Sequence, residues 1–276
     1  MTVRWANSGD TGRDVLDRVQ RGLTVDMIMT PRAELQTCRR DETASDVADR
    51  NTKNFSFLPI VDGEERILGL YEAARWFCER APQEAIDDNF VPFSEGIVIG
   101  ADASIVDFVK RADEQPTRLV VSGDRVAGLV SLSDLQQLPV RAALFTLVTR
   151  LEMTMAARIE KEWNADSGTG WLAVLSIDRR AAIQEAIDRA KMEDGFVSEI
   201  ALSQLADKAT IIRKRRLIPG SATGLKRDFN SIVRLRNDIA HANYYAETPK
   251  MAGKVCSAVR TILRIEEELS AAISIR

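Results

Sequence analysis

The only histidine of the 276-residue chain, His241, lies five residues after Arg236 and four after Asn237. Histidine can take up and release a proton near neutral pH. The arginine guanidinium is a planar fork of donors that can stabilise negative charge on phosphoryl oxygens. An asparagine four residues before a histidine on a helix can hydrogen-bond it and fix its orientation. These three residue types therefore suit acid–base chemistry on a phosphate-containing substrate.

The segment around these residues has the periodicity of an α-helix. At about 100° per residue, with Leu235 placed at zero, Ile232, Ile239 and Ala242 fall within about 60° of it and predict the core face. The arginine, asparagine and histidine fall between about 100° and 240° on the same wheel. We therefore expect them to share the face turned away from the core, where the small Ala240 leaves room for a partner or substrate.

The second half of the chain has the pattern of a helical bundle. From residue 141 apolar residues recur at three- and four-residue spacing, and strand signals are nearly absent. Helices are predicted at 141–163, 179–192, 197–215, 225–245 and 249–275. Breaks are predicted at 167–170, 194–195, 219–224 and 248–249. We expect an all-α domain over residues 139–276.

The run Arg236-Asn237-x-x-x-His241 on the penultimate long helix resembles the signature of HEPN domains, small helical bundles that are often metal-independent ribonucleases. The resemblance covers roughly residues 140–276. It implies that Arg236, Asn237 and His241 are catalytic. It also implies that the RNA 2′-hydroxyl attacks the adjacent phosphorus, leaving 2′,3′-cyclic phosphate ends. HEPN bundles usually pair across a two-fold axis, so a homodimer with a composite site is expected.

Other interpretations of this half remain open. His241 can instead be a residue that hydrogen-bonds across a dimer or bundle interface, since non-catalytic HEPN domains exist. Many HEPN toxins have tyrosine two residues after the histidine, where this chain has Asn243 followed by Tyr244. The basic residues at 213–216 and 226–227 fit phosphate contacts as well as a solvated basic helix end. Glu152 is expected at the surface, outside the site.

The first half contains a sequence repeat at a spacing near 60 residues. Asp41 recurs 61 positions later as Asp102, and Gly69 recurs 59 positions later as Gly128. Each copy predicts a short helix, two apolar strands joined by a turn, and a second helix after the glycine. Neither copy alone would bury much apolar surface, so we expect the two to pack face to face.

The entry motif at 25–32 and the strand motif at 58–71 resemble a CBS (cystathionine-β-synthase-type) domain, and the second copy resembles another. The expected architecture is an α+β CBS pair over residues 1–138, with repeats at about 20–80 and 88–138. The resemblance implies an adenosine-type ligand such as AMP or ATP in the cleft between the repeats.

The second copy keeps the family's nucleoside signature at Gly128, Ser131 and Asp134. A carboxylate can accept hydrogen bonds from both ribose hydroxyls, and a serine hydroxyl can meet a phosphate. Arg118 precedes the central strand, where family members often place a phosphate-contacting base. We therefore predict nucleotide binding by Asp134, Ser131 and Arg118.

The first copy departs from this pattern, because Glu72 and Arg75 take the places of Ser131 and Asp134. An arginine cannot accept ribose hydrogen bonds, so one nucleoside site is expected rather than two. The alternative for Asp134 is a purely structural role as a cap of the helix that follows it.

Charge and cysteine content narrow the expected partners. Residues 1–138 have 16 Lys and Arg against 24 Asp and Glu, whereas residues 139–276 have 22 against 17. The positive charge of the second half suggests a polyanionic partner. The alternative is chance clustering of surface charge. The three cysteines are far apart, without metal-ligand spacing, and no apolar run approaches a membrane span. We expect a cytoplasmic protein that has no metal site and binds neither membranes nor DNA.

Together these features predict an adenine-nucleotide-regulated, metal-independent ribonuclease of the kind found in bacterial toxin or antiviral systems. The alternative is a non-catalytic nucleotide sensor that acts through a protein partner, as an antitoxin-like or scaffolding protein.

Overall fold

The computed structural model describes residues 12–86, 89–163, 170–193, 198–241 and 243–274. These residues form two compact units, one of residues 24–139 and one that combines the chain up to residue 23 with residue 140 onward. The sequence places the boundary at residue 138 and all earlier residues in the first module. The structure instead groups the first helix, α1 (Gly12–Gly22), with the helical unit.

The unit of residues 24–139 contains two four-stranded sheets and short helices. Its strands and α-helices, in chain order, are β1 (Thr30–Pro31), β2 (Cys38–Arg39), α2 (Ala44–Arg50), β3 (Phe57–Val61), β4 (Ile67–Glu72), β5 (Val91–Pro92), β6 (Val98–Gly100), α3 (Ile105–Val109), β7 (Thr117–Ser122) and β8 (Arg125–Ser131). Strand order is β2-β3-β4-β5 in one sheet and β1-β8-β7-β6 in the other.

The two sheets have the same internal topology, as the sequence repeat predicts. In each, a parallel pair (β2–β3 or β6–β7) is followed by an antiparallel hairpin (β3–β4 or β7–β8). A short strand from outside the copy flanks the hairpin: β5 on β4, and β1 on β8. The expected second helix of each copy is a short 3₁₀ turn, at Ala73–Trp76 and Leu132–Gln136.

The repeated glycine has a structural reason that is the same in both copies. Gly69 lies opposite Pro92 of β5, and Gly128 lies opposite Pro31 of β1. A Cβ atom at Gly69 would overlap the carbonyl oxygen of Val91, and one at Gly128 would overlap that of Thr30. The flanking strand can therefore approach each hairpin only because the residue there lacks a side chain.

The two copies share a core that contains residues of both sheets. Leu70 of β4 packs in one buried cluster with Leu119 of β7 and Leu129 of β8. Val126 and Ile97 complete the buried part of this cluster. The expectation that the copies pack face to face is confirmed by these contacts.

The second unit is helical. Besides α1 it contains α4 (Leu138–Trp163), α5 (Ile177–Met192), α6 (Leu205–Lys214), α7 (Ala222–Ala240) and α8 (Pro249–Ser274), with α4 beginning at the boundary of the units. Two 3₁₀ turns, Gly170–Val174 and Glu199–Leu202, lie between the longer helices. None of the helices in the described ranges is both long and apolar enough to cross a bilayer.

Two predicted helices have different bounds in the structure. The helix predicted at 197–215 is divided, because Gln204 and Asp207 form a capping box that starts α6 at Leu205. The helix predicted at 225–245 ends at Ala240. The predicted breaks at 167–169 and 194–195, and the core-face residue Ala242, lie outside the described residues.

An ionic network joins α1 to the rest of the helical unit. Arg150 of α4 donates two hydrogen bonds to the carboxylate of Glu266 on α8, at 2.6 and 2.7 Å. Its third nitrogen donates to Asp17 of α1 at 2.7 Å. Because Glu266 is buried, this pair supplies the charge compensation that a buried carboxylate needs.

A second buried charge explains the position of Glu152. The ammonium of Lys208, only 2% exposed, donates to the carboxylate of Glu152 at 3.0 Å and to the Ser203 carbonyl at 2.6 Å. Glu152 is therefore a structural partner of a buried lysine.

Candidate functional site

The three residues predicted to act together in the helical unit lie on the outward side of α7. The buried residues of this helix recur at helical spacing: Leu225, Phe229, Ile232, Leu235 and Ile239. Arg236, Asn237 and His241 are all exposed. The structure thus places all three side chains away from the core, on the face that the periodicity predicts.

The hydrogen bonds among these residues differ from the predicted ones. Arg236 Nη1 donates to Asn237 Oδ1 at 3.3 Å, so the asparagine side chain is turned toward the arginine. His241 follows the last residue of α7, and its backbone N–H donates to the Asn237 carbonyl at 3.0 Å. Within the described ranges the His241 imidazole has no hydrogen-bonding partner. The expected side-chain bond from Asn237 to His241 is not formed, which leaves both ring nitrogens accessible.

Arg141, which the sequence analysis missed, holds the end of α7. Its guanidinium donates to the carbonyls of Asp238 and Ile239, at 3.3 and 3.0 Å, and to the Asn243 carbonyl at 2.9 Å. The last carbonyls of a helix lack intrahelical partners and favour a nearby cation. Because these contacts join residues about a hundred positions apart, no local signal in the sequence reveals them. Arg141 fixes the backbone on both sides of His241.

The two tyrosines after the histidine have different environments. Tyr245 is buried, and the Arg141 guanidinium lies 5.0 Å from the centre of its ring. Burial raises the pKa of Tyr245 to about 12, so its phenol stays protonated at neutral pH. Tyr244 is exposed. Tyr245 therefore belongs to the support of the α7 end, and Tyr244 is the tyrosine that solvent reaches.

We expect the replacement of Arg141 by alanine to lower the free energy of unfolding by about 1.5–3 kcal/mol, because charged hydrogen bonds to three carbonyls are lost. The amide of Asn243, which donates to the Asp238 carbonyl, should exchange its hydrogen faster. Urea unfolding and hydrogen exchange measure both effects. As a control, Arg189→Ala removes an exposed pair with Glu185 and should change stability by less than about 0.5 kcal/mol. Equal small effects of the two substitutions would show that the Arg141 contacts do not hold the α7 end.

Part of the basic run at 213–216 is engaged within the bundle. Lys214 donates to the Val174 carbonyl at 2.8 Å, and the Arg215 guanidinium lies 5.3 Å from the centre of the Trp163 ring. These two residues therefore have structural contacts within the bundle, which neither interpretation of the run predicts.

In the other unit, a cleft lies between the two copies. Its apolar wall includes Leu35, Phe57, Leu58, Pro59 and Leu129, and its polar residues are Thr30, Glu34, Gln36, Ser131, Ser133 and Asp134. An apolar wall that faces a few polar groups is typical of a small-molecule site. The volume of the cleft is about 70 Å³, room for a few water molecules. A nucleotide would fit only if side chains at the cleft moved apart.

Asp134 both lines this cleft and caps the 3₁₀ turn that begins after Ser131. Its Oδ2 accepts from the Ser131 N–H at 2.6 Å and from the Ser131 hydroxyl at 3.2 Å. Its Oδ1 accepts from the Gln137 amide at 2.8 Å, and that amide also donates to the Ile28 carbonyl. Burial raises the pKa of Asp134. Since a carboxylate has about four acceptor positions, the cap leaves capacity for a ligand hydroxyl.

The structure does not bring Arg118 to this cleft. Successive side chains of a strand point to opposite faces of the sheet. Arg118 pairs with Val130, whereas its neighbour Leu119 pairs with Leu129, which lines the cleft. Arg118 is therefore on the other face of β7, where burial lowers its pKa and its Nε has no partner among the described residues. The structure therefore does not bring Arg118 together with Ser131 and Asp134, and its phosphate contact stays a prediction.

The first copy has no carboxylate at the place equivalent to Asp134. Arg75 stands there, exposed, and donates to Asn89 Oδ1 at 3.2 Å. Glu72, at the Ser131 position, is also exposed. One nucleoside site therefore stays the prediction for this unit.

Comparisons with known proteins identify the first copy. Residues 25–72 match the family model of the CBS domain. No curated protein has a sequence that matches the chain significantly.

Solved structures similar to this chain include three CBS proteins. The CBS domain of a bacterial CNNM/CorC family Mg²⁺ transporter, in complex with ATP, has 20% identity and a TM-score of 0.36, covering 45% of this chain and 91% of that one. The CBS domains of a transcriptional regulator from Streptococcus pneumoniae have 22% identity and a TM-score of 0.34, covering 41% and 95%. CBSX2 in complex with AMP has 20% identity and a TM-score of 0.34, covering 44% and 96%. By the family match, residues 25–72 of this chain are a CBS domain.

Proposed function

We propose that this chain is a cytoplasmic, metal-independent endoribonuclease of the HEPN type, regulated by an adenine nucleotide and acting as a bacterial toxin or antiviral effector. The observation that carries the proposal is the group at the end of α7. There Arg236, Asn237 and His241 are exposed together, the imidazole is accessible, and Arg141 fixes the backbone around it. An accessible base and an exposed guanidinium are the minimum needed for cleavage of a phosphodiester by its own 2′-hydroxyl.

In this mechanism, His241 removes the proton of the 2′-hydroxyl as its oxygen attacks the adjacent phosphorus. The bond from phosphorus to the 5′-oxygen breaks, which leaves a 2′,3′-cyclic phosphate and a 5′-hydroxyl. The Arg236 guanidinium stabilises the charge that builds up on the phosphoryl oxygens, and Asn237 positions that guanidinium through its side-chain oxygen. Each chain has a single histidine, so a second copy supplies the acid that protonates the leaving oxygen.

The regulatory part of the proposal depends on the cleft that contains Asp134 and on the CBS match at residues 25–72. An adenosine ligand would place its ribose on the Asp134 carboxylate and its base against the apolar wall. Because the cleft is small, binding would move residues around the turn at Leu132–Gln136. In the sequence this turn leads directly into α4, which carries Arg141 three residues after its start.

A cleavage assay with the full chain tests the proposal. Labelled single-stranded RNA is incubated in EDTA, with and without AMP or ATP. The expected result is cleavage that survives chelation, changes in rate with one of the nucleotides, and yields 2′,3′-cyclic phosphate ends identified by mass spectrometry. Activity that disappears in EDTA and returns with magnesium would contradict the mechanism. No cleavage under any condition would favour a nucleotide sensor that acts through a protein partner.

A further inference from the structure

A pocket of about 490 Å³ lies between α7 and α8. It lies within the range of small-molecule sites, roughly 300–1,000 Å³. On one side it is lined by Arg227, Ser231 and Arg234 of α7, and on the other by Lys254 and Val255 of α8. None of the residues predicted as catalytic from the sequence lines it.

The lining of the pocket carries net positive charge, from three cations, Arg227, Arg234 and Lys254, against the one carboxylate of Asp238. Arg234 and Lys254 are exposed, and neither has an acidic partner in the part of the chain that the structure describes. Arg227 is 84% exposed and lies 3.7 Å from Asp228. The Asp228 carboxylate also accepts a shorter bond, 2.7 Å, from Arg264. Cations that outnumber the carboxylates of a pocket are available to an anionic ligand.

The inner wall of the pocket is apolar. It is formed by Leu235, Tyr245, Val255 and Ala258, which are all buried. A flat apolar group such as a nucleobase gains free energy when it covers such a wall. Rim cations and an apolar wall together match the two halves of a nucleotide, its phosphate and its base.

The pocket lies on the same stripe of α7 as the histidine. Arg227, Ser231, Arg234 and Asp238 follow one another at spacings of three and four residues, the positions that share one side of a helix. His241 is three residues after Asp238 and continues this stripe at the helix end. A single-stranded polynucleotide bound in the pocket would therefore extend along α7 toward the imidazole.

We propose that the α7–α8 pocket binds one nucleotide of single-stranded RNA adjacent to the phosphate that is cleaved. Arg234 and Lys254 contact its phosphate, and its base packs against Leu235 and Val255. This inference rests on the proposed ribonuclease function and adds the strand type and the path of the substrate. Because the wall is apolar, the pocket accepts any base without strong sequence preference.

The test uses the full chain and a fluorescein-labelled hexamer of 2′-O-methyl uridine, which lacks the attacking hydroxyl and cannot be cleaved. Its uracil bases also distinguish this pocket from a cleft that takes adenosine. The double variant Arg234→Gln, Lys254→Gln should bind at least tenfold more weakly by fluorescence anisotropy. The slope of log affinity against log salt should fall by about 0.7, since both side chains contact one phosphate and each neutralised phosphate on a single strand contributes about 0.7.

A matched control removes the same charge elsewhere. Arg189→Gln with Lys191→Gln neutralises two exposed cations of α5 and should bind the hexamer like the wild type. A second variant, Ser231→Phe, fills the pocket from an exposed position and keeps every cation. It should also weaken binding at least tenfold, while urea unfolding shows that each variant is folded.

The outcomes separate this inference from the proposed function. If the pocket double variant and the α5 control bind the hexamer with equal affinity, the proposal that this pocket binds RNA is refuted. Full binding by Ser231→Phe would do the same, because it would show that charge alone attracts the strand. If the wild-type chain binds the hexamer through the pocket but cleaves no RNA, the proposed ribonuclease function is refuted. The proposal that the pocket binds a nucleotide then still holds.

Discussion

Replacement of His241 by alanine should reduce RNA cleavage at least a hundredfold without disturbing the fold. Removing a general base or acid typically costs a factor of about 10²–10⁴. Because the imidazole is exposed and has no partner among the described residues, its removal leaves neither a core cavity nor a buried unpaired group. Initial rates on labelled RNA and the urea midpoint of each protein measure the two effects.

Arg236→Ala should lose cleavage to a similar extent, because one charge-stabilising donor is worth about a hundredfold or more. If the two residues act as a unit, the double variant will be little worse than either single one. Arg189→Ala, an exposed arginine of α5, is the matched control and should cleave normally. Wild-type rates in the His241 variant would refute the assignment. Loss of dimer mass by light scattering in step with activity would favour an interface role instead.

The second large effect is expected in the unit of residues 24–139, where Asp134→Ala should abolish the binding of adenine nucleotides. The wild type should be stabilised by its ligand, by about 2.7 kcal/mol at a hundredfold excess over Kd. The variant should show no such shift in Tm. Calorimetric titration and thermal unfolding with AMP and ATP provide the measurements.

The cap formed by Asp134 requires a control, because its loss costs about 1 kcal/mol without any ligand. Ser104→Ala removes a cap of the other short helix of the second copy, α3, and should cost a similar amount while nucleotide binding persists. Unchanged affinity in Asp134→Ala would show that the carboxylate is only a cap.

The position of the α7 residues was predictable because helical periodicity is a local property. Ile232, Leu235 and Ile239 are buried as the wheel indicates, and Arg236 lies on the outward face. The end of the helix was not predictable from the same segment. The carbonyls that close it are bound by Arg141, whose place beside them is set by how α4 packs in the folded unit.

Strand orientation explains the different outcomes for Arg118 and Asp134. Residues on both faces of β7 are buried, so its sequence does not alternate between polar and apolar residues. The direction of the Arg118 side chain therefore cannot be inferred from the sequence. Its direction follows from the register with β8, a property of the folded sheet. The position of Asp134 was easier to predict from the sequence, because its cap and its place beside Ser131 depend on residues only three positions apart.

The split of the helical unit into two pieces of sequence has a consequence for its synthesis on the ribosome. Helix α1 emerges before the unit of residues 24–139, yet Arg150, which binds its Asp17, is 133 residues further along the chain. At about 5–20 residues per second, roughly 7 to 27 seconds of translation separate the two. Glu266 is made another 116 residues later. Helix α1 is thus made before its partners exist, and the whole unit of residues 24–139 is synthesised, and is free to fold, in the interval.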